Sequence, residues 1–111
     1  MKNKVQLIGH LGNVPEIKNL EGGKKIARFN LATNESYKNS DGVRVDETQW
    51  HNLVAWGKVA ELSEKYLDKG SEVAIEGKLT HRDYTDKDGV KRHYTEVVVN
   101  EMLLLDKKAK D

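Results

Sequence analysis

Two tryptophans, Trp50 and Trp56, stand six residues apart in the stretch TQWHNLVAWG (48–57), with Asn52 between them. An indole presents a flat π-face that can fill a core or stack on another ring. Side chains on a strand alternate with a period of two, so an even spacing puts both indoles on one face. On a helix, six residues turn the chain by about 600° and leave the rings about 120° apart. Read as a strand, the stretch carries Trp50, Asn52, Val54 and Trp56 on one face and Gln49, His51, Leu53 and Ala55 on the other. Two assignments compete. If Leu53 and Ala55 point inward, the indoles face outward. The reverse buries the indoles, which is favourable by about 1.5–3 kcal/mol for a large apolar side chain, but it also buries Asn52, which would need polar partners.

The elements around this stretch decide between the two. VQLIGHLG alternates and reads as a first strand. GNVPEIKNLEGGKK reads as a bent connector, with Pro15 at one corner and Gly22-Gly23 at another. IARFNLATNESY is a second strand, with Ala27, Phe29, Leu31 and Thr33 on one face. KNSDGVRVDE contains Asp41-Gly42 and reads as a hairpin tip leading into the tryptophan strand, the third. KVAELSEKYLDKG spaces Val59, Leu62 and Tyr66 at helical steps, widened by Ala60 and Leu67, with Gly70 at the expected C-cap. SEVAIEGKLTHRDY alternates again, with Val73, Ile75 and Leu79 toward the core and Lys78, Arg82 and Tyr84 outward. TDKDGVKR is a second hairpin tip, and HYTEVVVNEMLLL is a last strand, whose Val97-Val98-Val99 suggests burial on both sides.

The order predicts an all-β fold with one helix: a five-stranded antiparallel OB-fold barrel with the helix between strands three and four. A simple five-stranded sandwich is the alternative, and a helix placed to plug one barrel end favours the barrel. With 111 residues the expectation is one domain, 1–105, followed by a short charged end, DKKAKD, at 106–111.

Composition narrows the chemistry. The absence of cysteine removes disulfides, thiolate catalysis and zinc-thiolate sites. No stretch has transmembrane length or the shape of a signal peptide, so a cytoplasmic protein without a membrane partner is expected. Nineteen basic and 18 acidic residues give a formal net charge of +1, which argues against a strongly basic duplex binder. Several short matches have simpler readings. HRD at 81–83 lacks the rest of a kinase signature. DKDG at 86–89 suits a hairpin turn better than a calcium loop. Gly9 and Gly12 lack the remaining pattern and the following helix of a dinucleotide fingerprint. His10, His51, His81 and His93 show no ligand spacing. Neither an enzyme nor a cofactor or metal site is expected.

What remains is a surface. Strand four turns Lys78, Arg82 and Tyr84 outward, and the first hairpin brings Tyr37, Lys38 and Arg44 toward the same end of the sheet. With Trp50 and Trp56 outward, aromatics interleave with cations. Bases offer π-faces to aromatics and phosphates pair with Lys and Arg, at about 1–3 kcal/mol of stacking per base. Duplex bases are already stacked, so such a surface selects single strands.

The blocks NKVQLIGHLGNVPE, LATNES, TQWHNLVAWGKVAEL, YLDKGSEVAIEGKL and TEVVVNEM, spread over residues 3–105, resemble the bacterial single-stranded-DNA-binding proteins. The resemblance implies a homotetramer that binds and protects single-stranded DNA without sequence preference, in replication, recombination and repair. It implies stacking on Tyr37, Trp50, Trp56 and Tyr84, with basic contacts at Lys58, Lys69 and Arg82 and, less directly, Lys38 and Lys78. It also implies a subunit contact at His51 and a pairing edge around Lys4, Val5, Gln6 and Leu7. An accessory OB-fold module of the primosome type is the rival reading, against which the retained aromatics argue. Asn52, within the binding face, stands where the family often has Arg, as does Thr80, and Asp83 stands where Lys is common. A shallower salt dependence than that of a more basic relative is therefore expected. The family usually continues into an acidic-tipped tail. Here the sequence reaches Asp111 without one, so recruitment of replication and repair enzymes through such a tip is expected to be absent.

Overall fold

The computed structural model describes residues 2–105; the charged end at 106–111 lies outside the described residues. Among the described residues there are six strands: β1 (Val5–Leu11), β2 (Glu16–Asn19), β3 (Lys25–Lys38), β4 (Arg44–Trp56), β5 (Glu72–Thr85) and β6 (Lys91–Leu104). One α-helix, α1 (Gly57–Tyr66), follows β4. The sheet order is β1-β5-β6-β4-β3-β2, and β1 also pairs with β3 through His10↔Ala32 and Leu11↔Leu31. That second pairing closes β1, β3, β4, β5 and β6 into a five-stranded barrel.

Three expectations change in detail. The connector after β1 contains a strand of its own: β2 pairs antiparallel with β3 from Glu16↔Arg28 to Asn19↔Lys25. Its four residues carry too little alternation to be read as a strand without their partner. Counting β2, the helix lies between the fourth and fifth strands. The barrel is also not wholly antiparallel, because β4 meets β6 in a parallel ladder, Leu53↔Val97 and Val54↔Val98. Strands with no hairpin between them are free to close a barrel in either sense.

The core follows the period-two pattern. Phe29, Leu31, Leu53, Ala55, Val73, Ile75, Val97 and Val99 are buried and belong to one cluster, with Ala60 and Leu67 closing one end. Val98 is half-buried. Leu79 keeps the inward parity but is exposed, because it lies where β5 and β6 leave the barrel as a free hairpin arm. A bulge between Glu76 and Gly77 takes up one extra residue of β6 and turns Met102 onto the core.

The helix is rotated from the expected stripe. Ala60 and Ser63 are its buried residues, with Leu67 just beyond, while Leu62 is exposed. Ser63 can face inward because its hydroxyl donates to the Val59 carbonyl at 2.8 Å, so no polar group is stranded. Leu67 is the C-cap, and Gly70, with φ +88°, serves the turn that follows. That turn docks on the end of β1 through Gly70 N–H to the Leu11 carbonyl, 2.8 Å, and Leu11 N–H to the Ser71 carbonyl, 2.9 Å.

Candidate nucleic-acid interface

Register settles the question of the two indoles. Phe29↔Leu53 and Leu53↔Val97 place Leu53 on the core face. Trp50, opposite Ala32, and Trp56, opposite Ile26, lie on the other face and are 60% and 47% exposed. Val54 shares that outer face yet is buried, abreast of Lys78, Val98 and Arg28 across four strands. Ala32 and Ile26 are likewise buried on the outer face. Trp50 has a prepared seat: a Cβ built on Gly12 would come within 2.4 Å of the indole Cζ3. Only glycine leaves room there. In the sequence Gly12 bears only on a dinucleotide motif, and nothing local reveals that an indole thirty-eight positions on will lie against it.

The same face continues onto β5 and β6. Lys78, Arg82 and Tyr84 pair with Val98, Tyr94 and Arg92, all exposed or half-buried. Asn52 is exposed beside Trp50, with its Nδ2 at 3.4 Å from the Thr95 carbonyl. These residues, with Trp50 and Trp56, form one continuous surface. Lys58 is exposed two residues beyond Trp56, in the first turn of α1. Lys69 is exposed in the turn docked on Leu11, one residue from Gly12.

The first hairpin arm is arranged differently. Tyr37 pairs with Val45 and so has the parity of Leu31 and His51, opposite to that of Trp50. Lys38, paired with Arg44, has the parity of Trp50. Tyr37 is exposed, on the reverse of the ribbon whose front carries the cations. This follows from the pattern that makes Phe29 and Leu31 core, carried six more residues along the strand.

One buried carboxylate organises the centre. Glu96 is 6% exposed; its Oε2 accepts from Arg28 Nη1 at 3.0 Å, and its Oε1 is ion-paired with Arg82 Nη2 at 3.2 Å. Arg82 also lies over Tyr94, its Cζ 5.5 Å from the ring centroid. A buried charge needs such pairing. The outer face is therefore less positive than its arginines suggest, since two guanidiniums and one carboxylate leave a single net charge. Glu96 gives no signal in the sequence, because its strand position is shared with solvent-facing residues.

The residues linked to subunit contact lie elsewhere. β1 pairs with β5 from Val5↔Gly77 to His10↔Glu72, and among the described residues no strand lies along the other edge of Val5–Ile8. Lys4 Nζ and Gln6 Nε2 both reach Glu76 Oε1, at 2.8 and 3.0 Å. The bond to Lys4, then that to Gln6, holds the Glu76 carboxyl below its ordinary range, and Glu76 raises Lys4. Leu7 is half-buried against the core. His51 is half-buried and bonds through Nε2 to Thr33 Oγ1 at 2.9 Å.

A closed OB barrel with an aromatic and cationic outer face defines the class of oligonucleotide-binding barrels. The Single-strand binding protein family matches residues 2–105, and the chain belongs to that family. It is 47% identical over 104 residues to Single-stranded DNA-binding protein 1 of Chlorobaculum tepidum, covering 93% of this chain and 64% of that one. It is 45% identical over 103 residues to the Single-stranded DNA-binding protein of Xanthomonas axonopodis pv. citri, covering 93% of this chain and 57% of the other. The chain thus spans roughly three-fifths of these relatives. The solved structure of a Plasmodium falciparum SSB complex with ssDNA superposes with a TM-score of 0.89 at 34% identity, over 96% of this chain and 97% of that one.

Among the described residues, no helix is long and apolar enough to cross a membrane, which leaves strand-built spans unaddressed.

Proposed function

We propose that this chain binds single-stranded DNA without sequence preference, by stacking unpaired bases on its outer aromatics while cations meet the phosphates. The observation that carries the reading is the exposure of both indoles on one face of a closed barrel, with Arg82 and Tyr84 on that same face. Trp50, Trp56 and Tyr84 stack bases, and Tyr37 takes a base on the back of its arm. Lys38, Lys58, Lys69, Lys78 and Arg82 serve the backbone, and Asn52 supplies a polar contact between the indoles. The physiological setting is protection of exposed strands in replication, recombination and repair, in the cytoplasm on nucleoid DNA. The decisive experiment is titration with oligo-dT while tryptophan fluorescence is followed, with a duplex of equal length as control. Quenching by dT alone is expected, and unchanged emission at saturation would place the indoles away from bases.

The chain acts as a homo-oligomer, a tetramer by family likeness. The support is the open edge of Val5–Ile8 together with an apolar row beside it. Ile8, Ala74 and Leu103 stand abreast on the outside of β1, β5 and β6, and Ile8 and Leu103 are each 63% exposed. Exposed apolar surface of this kind marks an association face. Ile8→Glu with Leu103→Glu is expected to give a monomer by sedimentation velocity. An unchanged assembly would move the interface elsewhere.

A further inference from the structure

Tyr94 has no part in the reading above, yet it occupies the middle of the outer face. It stands on β6 in register with Arg82, between the strand that carries Trp50 and the strand that carries Tyr84. Its side chain is the common wall of three adjoining clefts. One is shared with Arg82, Asp83 and Tyr84, a second with Trp50, His51 and Asn52, and a third with Arg28, Asn30 and Asn52. Tyr94 thus lines both the cleft that holds Trp50 and the cleft that holds Tyr84, and lies between those two positions on the outer face.

The ring is also held ready. The Arg82 guanidinium lies over it, and Glu96 fixes that guanidinium and the Arg28 guanidinium at distances of 3.2 and 3.0 Å. A half-buried phenol whose neighbours are pinned loses little freedom when a base arrives, so contact there costs little ordering. Guanidiniums and tyrosine rings both accept the face of an unstacked base.

We infer that Tyr94 is a further base-stacking residue: it takes one unpaired base of the bound strand in the cleft it shares with Arg82 and Tyr84, and so joins the Trp50 and Tyr84 positions into one track. Glu96 is its positioning residue, acting through Arg82. The inference rests on the reading of the outer face as the DNA platform, so the test separates the two.

Tyr94→Trp is placed in a Trp50→Phe, Trp56→Phe background, leaving one indole as reporter. Binding of a dye-labelled oligo-dT is followed in parallel by anisotropy. The expected result is quenching of the reporter indole that saturates with the anisotropy. Saturated anisotropy with unchanged indole emission would overturn the inference while leaving the platform intact. Failure of the unsubstituted protein to bind dT would overturn both. Tyr94→Ala should weaken dT binding by about 5- to 100-fold, and Tyr94→Phe should restore most of it. The slope of log affinity against log salt should not change with Tyr94→Ala, because the ring neutralises no phosphate. If the effect of Tyr94→Ala vanishes in an Arg82→Ala background, the ring merely props the guanidinium and the inference fails.

Discussion

Two hairpin arms leave this barrel, and they are built on the same turn. In the β3–β4 arm, Asn39 N–H donates to the Val43 carbonyl at 2.9 Å, and Asn39 Oδ1 accepts from the amides of Asp41 and Val43. In the β5–β6 arm, Asp86 N–H donates to the Val90 carbonyl at 2.9 Å, and Asp86 Oδ1 accepts from the amides of Asp88 and Val90. Gly42 and Gly89 both sit at φ +78°. Turn chemistry is therefore shared, down to the left-handed glycine. What differs is which residues the register turns toward the outer face that carries the indoles. The β5–β6 arm presents Arg82, Tyr84 and Tyr94 there, while the β3–β4 arm presents Lys38 and Arg44 and sends Tyr37 to the back. The same scaffold thus carries rings interleaved with cations in front on one arm, and near the tip of the other it carries cations in front with the ring behind. Position along a strand, rather than nearness to a tip, decides what an aromatic can touch.

The largest expected effect falls at the base of the first arm. Trp50→Ala should cost about 1–3 kcal/mol in binding oligo-dT. Gly12→Ala should approach that loss, because the added methyl takes the place of the indole, and fluorescence titration reads both. Wild-type affinity in Gly12→Ala would mean that the seat is not needed. Tyr84→Ala and Tyr37→Ala then compare the arms directly. On oligomers of about 8 nucleotides, within the site size of one OB fold, Tyr84→Ala should weaken binding roughly tenfold and Tyr37→Ala very little. On oligomers long enough to wrap the barrel, Tyr37→Ala should weaken binding as well. Equal losses on the short oligomer would erase the distinction between front and back.

A middle-sized effect tests the shared turn. Gly42→Ala and Gly89→Ala should each destabilise the fold by about 1 kcal/mol, the cost of a left-handed residue with a Cβ, and urea unfolding should report similar values. The smallest effect separates the tips by charge. Asn39 cannot titrate, whereas the bond from Arg92 and then the Val90 amide hold the Asp86 carboxyl below its ordinary 3.8. A group with a depressed folded pKa stabilises above its unfolded value and loses that contribution as pH falls through the folded one. Amide exchange at Val90 should therefore quicken as pH drops below about 3.8 relative to Val43, and Asp86→Asn should abolish the difference. Matching acid profiles in the unsubstituted protein would show that the carboxylate adds nothing to the tip.

Much of this is legible in the sequence because strands of period two reveal their faces. Spacing alone puts Trp50 and Trp56 on the face opposite Leu53 and Ala55, the neighbouring strands and Asn52 say which face is outer, and Asp-Gly pairs mark both turns. The side taken by Tyr37 is equally legible, since Phe29 and Leu31 fix the parity of the whole strand, and parity outweighs proximity to the tip. The helix is legible and its buried face is not, because Ser63 becomes a core residue once its hydroxyl bonds Val59, and polarity alone cannot announce that. Leu79 has the parity of a core residue and lies exposed because the barrel ends before it. Gly12 and Glu96 depend on partners far along the chain, which no local pattern encodes, and β2, though paired with nearby β3, is too short for its alternation to show.

The parallel ladder between β4 and β6 is two residue pairs long, and it carries a consequence for folding. The indoles belong to one hairpin, and Arg82, Tyr84 and Tyr94 to the other. A chain with both hairpins formed but the seam open would hold every ring and lack the surface. On the binding mode proposed above, DNA spanning the seam would favour only the closed barrel, and by mass action would stabilise that state over any half-assembled one. The ligand then acts as a clasp: slowest amide exchange at Leu53, Val54, Val97 and Val98 is expected in its presence, with the largest change on either side of that short joint.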